Sequence, residues 1–270
     1  MKLISGMLII VIFLFGTITL SQECQSESRW SYQYDPMTCV LENLAQGNFT
    51  DLEEEVFHNA SYIELANATF SQFGSHHFAV LPDYVTRLTF SYGKITEIYF
   101  LSETLVALKV FNVQLERFFV AERENQVLRR LDVSSRLLAE IPSSIAFLVG
   151  LKSLTFSGCN LTTVRLELFK DMKNLTDLNL SDNHISSIEV DSKLFLSSVR
   201  TLSLEENRLQ EIDRFPEAFP ELRTLSLYEN NWFCDWVTAV RKQIFRAMIV
   251  VYGSECQSSD NGGLCCNKRP

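Results

Sequence analysis

Leu175-Thr-Asp-Leu178-Asn-Leu180-Ser-Asp-Asn183-His-Ile185 recurs as Val199-Arg-Thr-Leu202-Ser-Leu204-Glu-Glu-Asn207-Arg-Leu209 and again as Leu222-Arg-Thr-Leu225-Ser-Leu227-Tyr-Glu-Asn230. The frame extends backwards through Leu151/Leu154/Phe156/Cys159/Leu161, Leu128/Leu131/Val133/Arg136/Leu138, Leu105/Leu108/Val110/Val113/Leu115 and Val85/Leu88/Phe90/Gly93/Ile95, ending at Ala60/Ile63/Leu65/Ala68/Phe70. Successive starts lie 25, 20, 23, 23, 24, 24 and 23 residues apart. Self-similarity at that period marks a solenoid, in which no single copy can bury its apolar edge and only the neighbouring copy covers it.

The template is L-x-x-L-x-L-x-x-N/C-x-L, so the fold class is a leucine-rich-repeat solenoid: an α/β-type horseshoe with short parallel strands on its concave face. The Asn/Cys position falls inside the turn after the strand. Asn183, Asn207 and Asn230 are expected there to satisfy buried backbone groups of adjacent coils. Cys159 occupies the same slot and reads as a buried ladder thiol. In the earlier copies the slot holds Ala68, Gly93, Val113 and Arg136, so those turns are expected to be less regular.

Outside the array, residues 1–21 combine Lys2, an apolar run over 6–15 and small residues at Thr19 and Ser21, the pattern of a signal peptide. This divides the chain into a signal peptide (1–21), an N-terminal cap (22–59), about eight repeats (60–229) and a C-terminal cysteine cap (230–270). Export permits disulfides. Cys24 and Cys39 stand at one end and Cys234, Cys256, Cys265 and Cys266 at the other, which suggests a stapled cap at each end. A Cys24–Cys39 bond is expected in the first cap. Adjacent Cα atoms lie ~3.8 Å apart, too close for an ordinary disulfide, so Cys265 and Cys266 should each bond one of Cys234 and Cys256, in an order the spacing leaves open. In the C-terminal cap Trp232 and Trp236 read as plugs on the last coil. The stretch 237–251, with Val237, Val240, Ile244, Phe245 and Met248, reads as amphipathic.

Between the leucines lie the residues expected to line the concave face. Arg87, Lys109, Arg129 and Arg130 make its first half basic, whereas Asp177, Asp182, Glu205, Glu206 and Glu229, with Tyr228 among them, make its second half acidic. The reading is a polarised protein-docking surface. Six Asn-x-Ser/Thr sequons, at Asn48, Asn59, Asn67, Asn160, Asn174 and Asn179, add candidate glycosylation sites, and Asn179 falls on the concave strand.

The formal charge of −9 supplies no basic field for nucleic acid. No membrane segment is expected once the signal peptide is removed. His58, His76, His77 and His184 form no spaced ligand set, and His76-His77 reads as a loop between repeats. No phosphate loop or nucleophile elbow appears, so neither an enzyme nor a cofactor or metal is expected.

The C-terminal Asn-Trp-Phe-Cys234, Cys256 and Gly263-Leu-Cys265-Cys266-Asn-Lys, after a signal peptide and diverged repeats, resemble the leucine-rich-repeat immune proteins of mosquitoes, in which a double cysteine follows the cap. Only Asn267-Lys-Arg-Pro270 follows the double cysteine here, where longer relatives continue into coiled-coil heptads, so the chain resembles the coil-less class. The resemblance implies a haemolymph protein acting in complement-like innate immunity. Its implied partner is another leucine-rich-repeat protein or a thioester protein, with association noncovalent because the cap cysteines bond one another. The second reading is an extracellular adhesion, matrix or decoy-receptor protein on the same scaffold, without an immune role.

Overall fold

The computed structural model describes residues 38–45, 49, 52, 54–57, 59–252 and 265–269. Residues 1–21, expected to be a signal peptide, and Cys24, Asn48, His58 and Cys256 lie outside them. Each repeat contributes a strand to the main sheet, long only in the first two, some repeats add a second strand farther along, and all the strands pair in parallel. They are β1 (Thr38–Glu42), β2 (Tyr62–Phe73), β3 (Arg87–Phe100), β4 (Ala107–Phe111), β5 (Arg117–Val120), β6 (Arg130–Ser134), β7 (Ser153–Phe156), β8 (Thr163–Arg165), β9 (Asp177–Asn179), β10 (Ser187–Glu189), β11 (Thr201–Ser203), β12 (Thr224–Ser226) and β13 (Val250–Tyr252). The main sheet runs β1-β2-β3-β4-β6-β7-β9-β11-β12-β13, with β5 paired to the later part of β3, and β8 and β10 form a second small sheet. Its register follows the sequence frame: Leu88, Leu108, Leu131, Leu154, Leu178, Leu202 and Leu225 face one another across successive strands, all buried.

Three asparagines hold the turns of the last coils. Asn183, Asn207 and Asn230 each accept the amide of the preceding coil, from Leu161, Ile185 and Leu209 at 3.2, 2.9 and 2.9 Å. Each donates its amide to carbonyls of its own and the preceding strand. Cys159 repeats only the donor half, its Sγ reaching the carbonyls of Val133 and Ser157 at 3.7 Å. Burial pushes this thiol up to about 11, and it is free and buried.

The earlier turns differ from the later ones. Arg136 stands exposed in the ladder slot, and Ser135 takes over one residue early, accepting the Leu115 amide at 3.0 Å and donating to the Leu115 carbonyl at 2.8 Å. At Gly93 two successive residues, Tyr92 and Gly93, have positive φ. There β2 and β3 continue through the bend as 12- and 14-residue strands, paired Ala68 to Gly93 and Thr69 to Lys94. Close approach is what makes this work. A Cβ on Gly93, whose φ is +86°, would lie 2.3 Å from the Ala68 carbonyl oxygen.

The C-terminal cap begins with Trp232, whose indole donates to the Leu227 carbonyl at 2.7 Å and stacks on Trp236 at 4.5 Å. Helix α2 (Cys234–Arg246) follows a first, one-turn helix α1 (Ser75–Phe78). The amphipathic face is narrower than the sequence suggested: Val237, Val240 and Ile244 are buried, but Phe245 and Met248 are more than four-fifths exposed. The helix ends at Arg246 and the chain re-enters the sheet as β13, a rung the leucine frame does not announce because it carries no leucine. A Cys234–Cys266 disulfide, Cα atoms 4.9 Å apart, ties the start of α2 to residues 265–269. Cys39 and Cys265 are also disulfide-bonded.

His76 and His77 lie in α1 rather than in a loop. His77 is fully buried against Phe73, Phe70 and Phe49, with ring centroids at 4.8, 5.4 and 5.9 Å, and its Nδ1 accepts the Gly74 amide at 3.0 Å. Burial, with a smaller contribution from His76, lowers its pKa to about 4.

Candidate functional site

The strands point alternate side chains to the concave side, so the register sets which residues share that face. Tyr62, Arg87, Ala107, Arg130, Ser153, Asp177, Thr201 and Thr224 form one row across it; Glu64, Thr89, Lys109, Asp132, Thr155, Asn179, Ser203 and Ser226 form the next.

Much of the basic half is answered internally. Arg130 pairs with Asp132 at 2.7 Å, the Arg87 guanidinium lies 5.4 Å from the Tyr62 ring centroid, and the Lys109 ammonium lies 4.6 Å from that of Phe111. Glu64 is buried and accepts a 2.5 Å hydrogen bond from Ser91. The Tyr62 hydroxyl lies 3.1 Å from that of Thr89, and burial raises its pKa. Arg129 does not join this face: it stands just before β6 and donates to the Gly150 carbonyl at 2.8 Å.

The acidic half lies on the last coils. Asp182, Glu206 and Glu229 follow one another on three adjacent coils, each immediately before its ladder asparagine, and each has a positive φ of 50°, 55° and 52°. The backbone chains them: the Asp182 amide donates to the Glu205 carbonyl and the Glu206 amide to that of Tyr228. All three are exposed. Neighbouring rungs lie ~4.8 Å apart, so the carboxylates form a like-charged column. The same position is left-handed in other coils as well, at Asn67, Tyr92, Asn112 and Gly158, so this φ belongs to the turn of the repeat. Asp177 extends the acidic surface, its carboxylate accepting the Thr176 hydroxyl at 2.7 Å. Glu205 and Tyr228 are half-buried, and Glu205 Oε2 is buried without a hydrogen-bond partner.

Of the sequons, Asn59, Asn67, Asn160 and Asn174 are exposed. Asn179 is half-buried on the concave strand, its Oδ1 accepting the Ser181 amide at 2.9 Å.

A further cluster escaped sequence reading. The residue just before each strand forms a lip: the amides of Lys152, Thr176, Arg200 and Arg223 each donate to the carbonyl of the preceding lip residue, from Arg129 onward, at 2.8–2.9 Å. Four of these five are cationic. The signal was the basic residue directly after the first apolar residue of Leu128-Arg, Leu151-Lys, Val199-Arg and Leu222-Arg.

Among the described residues no helix is long and apolar enough to cross a membrane, and no group of three or more His, Cys, Asp or Glu could hold a metal ion.

Residues 126–185 and 149–209 match the family model described as leucine rich repeat. Among curated proteins, the chain is 33% identical over 114 residues to leucine-rich repeat-containing protein 3 of Danio rerio, covering 42% of this chain and 41% of that one. It is 30% identical over 95 residues to asporin of Bos taurus, covering 33% and 26%. The chain thus spans less than half the length of these relatives. Among solved structures, the human 5T4 trophoblast glycoprotein superposes with a TM-score of 0.62 at 16% identity, over 92% of this chain and 100% of that one. A chain of the LRIM1/APL1C complex superposes with a TM-score of 0.59 at 17% identity, over 85% and 50%. These likenesses establish the leucine-rich-repeat solenoid.

Proposed function

We propose that this chain is a secreted, non-enzymatic binding protein of insect complement-like immunity, whose acidic concave half docks a basic surface of a thioester protein or of a second leucine-rich-repeat protein. The observation that carries the docking is the Asp182–Glu206–Glu229 column, where exposed like charges are stacked at successive rungs by the turn of the repeat. An anionic strip of this kind gains most from a cationic partner, in on-rate and in choice of partner. The concave strands around it carry small Ser and Thr side chains; a glycan on Asn179 would cover the middle of this face and push docking to its ends, its edges or the convex side.

The immune setting is supported by the double cysteine shared with mosquito leucine-rich-repeat immune proteins, and by likeness in fold to a complex in which two such chains assemble. Secretion is supported by the leader-like residues 1–21 and by the cap disulfides.

The test is surface plasmon resonance against a purified thioester protein and against a purified leucine-rich-repeat relative. The Asp182→Asn/Glu206→Gln/Glu229→Gln variant should bind at least tenfold more weakly at 50 mM salt, and the difference should shrink at 500 mM as screening removes it. Equal binding by variant and native chain at low salt overturns the docking proposal.

A further inference from the structure

We propose that the lip of the solenoid is a second binding site, for an extended sulfated polysaccharide, distinct from the acidic concave strip. Arg129, Lys152, Arg200 and Arg223 occupy four of five consecutive lip positions. With rungs ~4.8 Å apart, this basic row is about 19 Å long. Behind its centre lies a groove of about 610 Å³, into which Lys170 and Lys173 also face. The groove has no carboxylate in its lining. Of these cations, Lys152, Lys170, Arg200 and Arg223 take part in no ion pair among the described residues. Lys173 bonds the Lys170 carbonyl and Arg129 that of Gly150. The neighbouring acids are Asp171 and Asp177 beside the groove, Glu217 beside Phe195, and Glu221 beyond it; Asp177 accepts the Thr176 hydroxyl and keeps its charge.

In a chain with a net charge of −9, such a cationic row runs against the composition. Regular spacing favours a ligand that is itself periodic and anionic. The rest of the lining favours a sugar over an acidic peptide or a phosphate chain. Ser197 supplies a short polar side chain for sulfate and hydroxyl oxygens, and Phe195, about half exposed, offers ring surface beside the Arg214 guanidinium against which a pyranose can pack. The Arg214 guanidinium lies 5.1 Å from the centroid of that ring and adds a further cation at the edge. Long Lys and Arg side chains at the lip reach outward without backbone movement, so receiving a chain orders side chains alone.

The site is tested with full-length secreted protein carrying Asn174→Gln, which leaves no sugar on the groove's rim. The probe is a size-fractionated heparin octasaccharide, followed by calorimetry. Binding should weaken by about tenfold or more between 50 and 200 mM salt. Lys152→Ser/Lys170→Ser/Arg200→Ser should cut the affinity at least tenfold with an unchanged thermal midpoint, whereas Arg87→Ser/Lys109→Ser on the concave face should leave it unchanged. Completely desulfated heparin should not bind. No heparin binding, loss only in the concave variant, or equal binding of desulfated chains overturns the proposal. So does tighter binding of a single-stranded DNA of matched charge, which would make the lip a nucleic-acid surface. The concave neutralisation described above leaves this row intact, so the two sites fail separately.

Discussion

Replacing Asn207 by Leu removes four hydrogen bonds at once: Oδ1 from the Ile185 amide at 2.9 Å, and Nδ2 to the carbonyls of Leu180, Leu204 and Glu205 at 2.9, 3.1 and 3.1 Å. The cost is smaller than that count implies. The Leu180 carbonyl keeps Asn183 at 3.2 Å, that of Leu204 keeps Asn230 at 2.8 Å, and that of Glu205 keeps the Asp182 amide at 3.1 Å. Only the Ile185 amide is orphaned. An unsatisfied buried donor costs about 1–3 kcal/mol, and the weakened carbonyls add a fraction of a bond each, for a total of about 3 kcal/mol. Urea unfolding followed by circular dichroism measures this, with exposed Arg208→Ala as the control expected to stay within about 0.5 kcal/mol. A loss below about 1 kcal/mol in Asn207→Leu would refute the idea that the ladder satisfies a buried amide.

Three further outcomes follow from the core. His77 stays neutral in the fold down to about pH 4 while its unfolded counterpart takes a proton near 6.5, so its contribution is complete above pH 6.5 and falls with acidification between those values, by about 3 kcal/mol in total; His77→Asn, which keeps an acceptor for Gly74, should lose that part of the pH dependence, and an unchanged slope of stability between pH 6.5 and 4.5 would contradict it. Cys159, buried and with its thiol raised to about 11, should be inert to a thiol reagent at pH 8 until urea unfolds the chain, whereas rapid labelling of native protein would show the slot to be open. Gly93→Ala should destabilise by at least about 2 kcal/mol, since its Cβ would meet the Ala68 backbone and its φ is positive, and a thermal midpoint within 2 °C or so of native would contradict this close packing.

The repeat frame was legible because a solenoid writes its core into the sequence at a fixed period, and Leu131, Leu154, Leu178 and Leu202 all face inward as their spacing required. The ladder was legible where asparagine fills it, since an amide side chain in a tight turn has few other uses. Its replacement by Ser135 was not, because serine is common and stands one place out of frame. β13 was hidden for a similar reason: Val250-Val-Tyr252 carries no leucine, and only Val251, opposite Leu225, packs against the core while Val250 and Tyr252 are exposed. The concave face was legible as a list of residues but not as an electrostatic surface. Pairing of Arg130 with Asp132, and cation–ring contacts at Arg87 and Lys109, needed distances that spacing does not contain. The basic lip was overlooked because its members sit 23 or 24 residues apart in the chain and become neighbours only when the coils stack.

Photo-crosslinking from the two faces tests the docking account most directly. A benzoylphenylalanine placed at Glu206, in the middle of the acidic column, is compared with one at Glu189, exposed on β10 in the second small sheet. Each is irradiated with a purified thioester protein and with a purified leucine-rich-repeat relative. The account predicts a covalent adduct with at least one of them from position 206, suppressed by 500 mM salt, and none from position 189. Adducts from position 189 alone, or equal yields from both positions, would contradict it.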